Sequence, residues 1–272
     1  MGPTYDDTVT DRWIELDGLV NMRDLGGLPT RDGGRTASGR LIRSDNLQDL
    51  TAADVQHLVD ELGVTDVVDL RTDAELHSEG PGPLVKVDSL THHHHSLIAE
   101  KRDDDPDAVA AKALVVPWKD EKKKRDARFW ADHYLGYLSA RPDSVSAALH
   151  VVAEAEGAAV VHCAAGKDRT GTVVAMALDV AGVAREDIVA DYVLTAERIE
   201  QIIGRLMPRP AYGEALARQT IDEQVPRAET IEAILTAVHE GYGGAAGWLV
   251  AHGWSEDDVE RLRRRLTVPA SR

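Results

Sequence analysis

One stretch, Ala158 to Ala181, most constrains what this chain can fold into. It opens on a short apolar, β-branched run, Ala158-Ala159-Val160-Val161. It then passes through His162-Cys163-Ala164-Ala165-Gly166-Lys167-Asp168-Arg169-Thr170-Gly171 and continues, from Val173, as an apolar stretch with helical spacing. That order predicts strand, tight loop, helix. The single cysteine of the chain stands in the loop, and Arg169 follows it after five intervening residues.

A loop in this setting turns several backbone N–H groups toward one point, and the helix start adds the positive end of its dipole. A phosphate-sized oxyanion suits that point, and a cysteine there is favoured as its nucleophilic thiolate. Arg169 can fork two phosphoryl oxygens, as a lysine cannot. Gly166 permits a positive φ close to a ligand. Ala164, Ala165 and Lys167 complete the substrate cradle, and the Thr170 hydroxyl is placed to bond the sulfur or assist its departure. The plain alternative is a buried structural cysteine beside a solvated charged turn. Spacing, glycine and strand–loop–helix setting together argue against it. A Walker-type nucleotide loop is excluded, because Val161 stands where glycine is needed and Asp168 where Ser or Thr is needed.

Cys163 to Arg169 with the following Thr170-Gly171 resembles the catalytic loop of cysteine-dependent protein tyrosine phosphatases. The fuller HCxxGKDRTG form is similar to the bacterial atypical branch. Asn21 to Gly27, Leu41-Ile42-Arg43-Ser44, Asp66 to Arg71, Asp187 to Tyr192 and Gly247 to Leu266 extend the resemblance over nearly the whole chain. The segment from about Ser89 to Asp132 is the least alike. The resemblance implies a phosphatase of phosphotyrosine, with phosphoserine, phosphothreonine and phosphoinositides as further substrates and inorganic phosphate as product. It implies no cofactor and no metal. It also gives Asp24 or Arg23 a part in orienting the loop, and makes Ile199–Val225, with Ser89–Asp132, variable lid or insert segments.

The alternation of strands and helices predicts an α/β fold: one domain over 1–272, with a central, mostly parallel sheet flanked by helices. The net charge of −16 argues against a nucleic-acid partner. One cysteine rules out an internal disulfide, and leaves no second thiol to trap an oxidised Cys163. No signal peptide, myristoylation pattern or apolar run of membrane-spanning length is visible, so a cytoplasmic location is expected, with export by an unrecognised route left open.

Along the chain, Gly33-Gly34 predicts a hairpin turn, and Thr51 with Asp54 a capped helix ending at Gly63. Val64 to Leu70 follows as a strand. In open α/β sheets ligands gather beyond the carboxyl ends of strands, where Asp69, Arg71 and Asp73 fall; an ion pair securing the loop is the equal alternative. His92 to His95 reads as a solvated or substrate-lining loop rather than a metal site, since consecutive side chains cannot all point one way. His94 and His162 are supporting candidates. Glu100 to Asp107 is a charged break, and Lys119 to Arg128 a solvated helix face, with a basic rim for a phosphoinositide headgroup as the lesser reading. Phe129, Trp130, Tyr134 and Tyr137 are expected as core anchors. Helices are expected over Asp143–Glu156, Arg185–Leu206 and from Pro226 or Ala228 to Glu240, with a last one capped by Ser255 and Asp258.

The chemistry expected is a two-step phosphoryl transfer through Cys163, with Arg169 and the loop amides holding the charge. The chain lacks the Trp-Pro-Asp tripeptide on which typical tyrosine phosphatases carry their acid; Pro117-Trp118-Lys119-Asp120 only echoes it. Asp168 is therefore the acid of choice, with Asp120, Asp73 or a histidine of 92–95 in reserve. Lys167 pairs with a phosphate or with Asp168. A rhodanese-like sulfurtransferase and a non-catalytic phospho-ligand binding module are the competing classes.

Overall fold

The computed structural model describes residues 12–99 and 127–270. The expectations placed on Glu100 to Asp107, on Asp120 and on Lys119 to Asp126 lie outside the described residues. Seven strands are described: β1 (Arg23–Asp24), β2 (Arg35–Thr36), β3 (Leu41–Ser44), β4 (Val64–Asp69), β5 (Thr91–His94), β6 (Ala158–His162) and β7 (Thr267–Val268). Five of them form the central sheet in the order β1-β3-β6-β4-β5. The pairs β3–β6, β6–β4 and β4–β5 are parallel, and only β1 runs antiparallel. Strands β2 and β7 pair apart from it, after the turn at Gly33, whose φ is +86°.

Helices cover both faces. On one lies α1 (Ala52–Gln56), extended by a wider turn over His57–Glu61. It is closed at its start by the Thr51–Asp54 capping box and followed by Gly63 at φ +61°. On the other lie α3 (Ala127–Ala140), α4 (Pro142–Glu154), α5 (Asp168–Val180), α10 (Ala228–Tyr242), α11 (Ala245–Ala251) and α12 (Glu256–Leu266). Between these come α2 (Asp73–Glu79), α6 (Arg185–Leu194), α7 (Ile199–Leu206), α8 (Gly213–Leu216) and α9 (Ile221–Gln224). A parallel strand covered on both sides must be apolar on both. Strand β6 is buried throughout: Val160 packs with Ile42, Leu58 and Val67 on one face, while Ala159 and Val161 join Val68, Val173 and Leu149 on the other. The central strands thus lead buried chains to one edge, where the loops after β4 and β6 emerge together.

Two expectations are corrected. The helix read over Arg185–Leu206 is broken at Thr195–Arg198, a turn of tighter 3₁₀ form. The break coincides with Thr195, whose hydroxyl accepts from the buried Arg23 guanidinium (3.1 Å), and beyond it α7 packs its apolar face with Ala164 and Tyr212. The histidines of 92–94 are an edge strand, not a loop. Each serves a separate local partner: His92 meets the Leu84 carbonyl, His93 the Asp66 carboxylate and His94 the Arg71 carbonyl. Alternation along the strand disperses them. No helix among the described residues is long and apolar enough to cross a membrane.

Candidate active site

The loop Cys163–Lys167 lies between β6 and α5, and three of its successive carbonyls are drawn backwards. Ala164 O accepts from the Asn46 amide (3.0 Å), Ala165 O from the Asn21 side chain (2.8 Å) and Gly166 O from Arg43 Nη2 (2.7 Å). In a planar trans peptide the N–H points opposite the C=O. The N–H groups of Ala165, Gly166 and Lys167 are therefore turned away from these ties, toward the cavity that Ala164, Ala165 and Lys167 line. Gly166 has φ +65°, and a Cβ there would fall 2.4 Å from the Ser44 carbonyl oxygen. Only glycine allows both the turn and the close approach.

The cavity measures about 300 Å³. Cys163, Asp168 and Arg169 share its floor, while Ile98, Ile199, Ile203, Leu206 and Leu216 give it an aliphatic wall. Arg169 is gripped by a residue that local pattern does not single out. Glu75 holds it in a bidentate pair, Nη1–Oε2 2.5 Å and Nη2–Oε1 2.8 Å, and its Oε2 also accepts from the Thr72 amide in the capping box of α2. Burial alone would push the Glu75 carboxyl up; the Arg169 charge and hydrogen bonds overcome this and hold it below its ordinary value. The fork is thereby oriented before any ligand arrives.

Lys167 does pair with Asp168, at 3.5 Å, but its nearer partners are the Gln224 carbonyl (2.8 Å) and side-chain oxygen (3.3 Å) on α9. Its ammonium also lies 5.3 Å over the Trp130 ring. Burial lowers it to about 8. Asp168 is partly buried; desolvation pushes its carboxyl up to about 7 against the opposing pull of Arg169 and Arg43. The Tyr134 hydroxyl donates to its Oδ1. Trp130, Tyr134 and Tyr137 of α3 are thus buried and Phe129 partly so, as expected of core anchors, yet Trp130 and Tyr134, one helical turn apart, also cover Lys167 and Asp168. The Thr170 hydroxyl is buried and finds no partner among the described residues, so it makes no bond to the sulfur.

Behind the loop, the fully buried Arg23 and Arg43 converge on Asp191, with Arg12 on the same carboxylate. Burial pushes Asp191 up, and the three guanidinia overcome it and hold the carboxyl well below the usual range. Arg23 meets the loop at one remove, donating to Asn21 Oδ1 (2.8 Å). Asp24 does not meet it: its carboxylate accepts from the Gly26 and Gly39 amides. Asp69 and Arg71 form a tight pair, Nη2–Oδ2 2.6 Å, which anchors the loop after β4. His162 is buried 3.5 Å from Asp69. His94 lies outside the cavity lining, against the exposed Asp73.

This fold and this loop define a protein tyrosine phosphatase-like α/β enzyme. The tyrosine phosphatase family matches residues 14–268. The chain is 31% identical to the triple specificity protein phosphatase PtpB of Mycobacterium tuberculosis, over 92% of this chain and 97% of that one. It is 30% identical to a tyrosine-protein phosphatase of Nostoc commune, over 83% of this chain and 73% of that one. The chain belongs to the tyrosine phosphatase family, in its bacterial atypical branch, and is a protein tyrosine or dual-specificity phosphatase.

Proposed function

We propose that the protein hydrolyses phosphotyrosine, and with it phosphoserine, phosphothreonine or phosphoinositide monoesters, through a phosphocysteine on Cys163. The observation that carries this reading is the shared floor: one sulfur and one pre-oriented guanidinium face the same cavity, on a loop whose carbonyls are drawn away from it. The Cys163 sulfur attacks phosphorus as the P–O bond to the leaving group breaks, and Asp168 gives its proton to the departing oxygen. Arg169 and the loop amides hold the equatorial oxygens as charge spreads over them. Asp168, now ionised, then takes a proton from water as its oxygen attacks phosphorus; the S–P bond breaks and inorganic phosphate leaves. The name of the Mycobacterium tuberculosis relative, a triple specificity phosphatase, supports substrates beyond phosphotyrosine. The aliphatic wall suits an aryl or acyl-bearing group beside the phosphate. Residues 199–225 act as a lid, tied down at Lys167–Gln224.

Cys163→Ser should abolish turnover and retain tungstate binding, and acid quenching of wild type should trap phosphate on Cys163. Near-wild-type turnover by Cys163→Ser would remove Cys163 as nucleophile. Relative kcat/KM on phosphotyrosine, phosphoserine and a phosphoinositide then ranks the substrates.

A further inference from the structure

The geometry points to Tyr134 as the positioning residue for Asp168, confining the proton of that carboxyl to the oxygen that faces the substrate. This rests on the reading of Asp168 as general acid. Tyr134 stands on α3, 1% exposed, and donates its hydroxyl to Asp168 Oδ1. Its oxygen lies 3.1 Å from the Tyr192 hydroxyl on α6. Tyr134 spends its one proton on Asp168, so in this pair Tyr192 donates and Tyr134 accepts. Lys167 approaches the same oxygen, Oδ1, at 3.5 Å. With the Tyr134 hydroxyl donating to Oδ1 and the nearest ammonium on the same side, the proton of the acid form sits on Oδ2.

Neither hydroxyl is free to swing away. The Tyr134 ring stacks on Tyr137, 5.7 Å between centroids and 14° between planes. The Tyr192 ring lies against Gly171, where an added Cβ would come within 2.9 Å of it. The ionisable groups facing Asp168 are Lys167 and Arg169 beside it, Arg43 from β3, Tyr134 from α3 and Tyr192 from α6. A hydroxyl donated to a carboxylate favours its ionised form, so its loss raises the carboxyl further.

The test compares Tyr134→Phe, Asp168→Asn and the double variant on p-nitrophenyl phosphate and on an alkyl phosphate, across pH. Tyr134→Phe is expected to lower kcat on the alkyl ester about tenfold more than on the aryl ester, because a poor leaving group needs the proton. KM should hold within about twofold, and the basic limb of the profile should move to higher pH. In the Asp168→Asn background the same change should add less than about twofold, since the two residues act as one unit. If Asp168→Asn itself depresses both esters equally, the acid reading falls first, whatever Tyr134 does. If Asp168→Asn separates the esters but Tyr134→Phe depresses both alike, leaves the pH profile in place, or multiplies with Asp168→Asn, then Tyr134 only packs and the proposal is overturned. Should Tyr134→Phe not fold, Tyr192→Phe decides the same question with a smaller effect, about threefold on the alkyl ester.

Discussion

The rear and the front of the Cys163–Arg169 loop each hold an aspartate, and the two behave in opposite ways. At the rear, Asp191 is buried among Arg12, Arg23 and Arg43, and its charge is locked in place. At the front, Asp168 opens onto the cavity with a hydroxyl and a more distant ammonium for company, and its carboxyl rises to about 7. Burial pushes both upward; the number of guanidinia in contact decides the outcome. A carboxylate wedged among arginines can only hold structure, whereas one left short of countercharge near neutral pH can trade protons.

The contrast can be broken most severely at the rear. Asp191→Asn strands Arg23 and Arg43 in the interior, a loss of about 3–5 kcal/mol, which lowers Tm by about 10 °C in a chain of this size. A Tm within about 2 °C of wild type would show that the rear cluster does not support the loop.

At the front the expected loss is chemical. Asp168→Asn should lower kcat on alkyl phosphates about a hundredfold and on aryl phosphates about tenfold. Its stability should move the other way. Asp168 is raised in the fold, so its contribution is complete below the ordinary carboxylate pKa near 4 and is lost as pH rises toward about 7. Asp191 and Glu75 are depressed, so theirs is present above about pH 4 and lost as pH falls through their lowered values. Asp45, raised by burial to about 6, acts in the same direction as Asp168, and His133, lowered by burial to about 4, in the opposite one. Both are shared, so Asp168→Asn should gain Tm relative to wild type between about pH 4 and 7. Melting curves at several pH values decide this, and equal slopes would discard the assignment.

Glu75→Gln removes the charge that orients Arg169 from the far wall. A fall in kcat of about 10–100-fold is expected, with tungstate affinity reduced much less. Unchanged kcat would mean the fork needs no support. The smallest effect belongs to the roof. Lys167→Met leaves the Gln224 carbonyl without its donor, a loss of about 1–3 kcal/mol confined to that contact, and amide exchange over 207–225 should quicken while the rear of the loop stays protected. Equal quickening in both places would show that roof and rear are one unit.

Local pattern was enough for some of this. The strand–loop–helix around Cys163, the capping boxes at Thr51 and Ser255 and the turn at Gly33 are read from neighbours within a few residues, because hydrogen bonding and periodicity act at that range. The alternation of strands and helices likewise announced a sheet flanked by helices. What local pattern misplaced were partners far apart in the chain. The family resemblance pointed to Asp24 or Arg23 and the histidine run to His94, where Asn21 and Arg43 do the holding, and local pattern passed over Glu75 while choosing Asp69, Arg71 and Asp73 around it.

Taken alone, then, the order of residues determined the α/β class, the family and the loop on which sulfur and guanidinium stand. Tertiary structure decided which charges stay frozen and which can titrate. A carboxylate's state depends on desolvation and on the few ångströms to its nearest guanidinium. Both are set only when segments as far apart in the chain as those of Arg43 and Asp191, or of Glu75 and Arg169, are brought to one place.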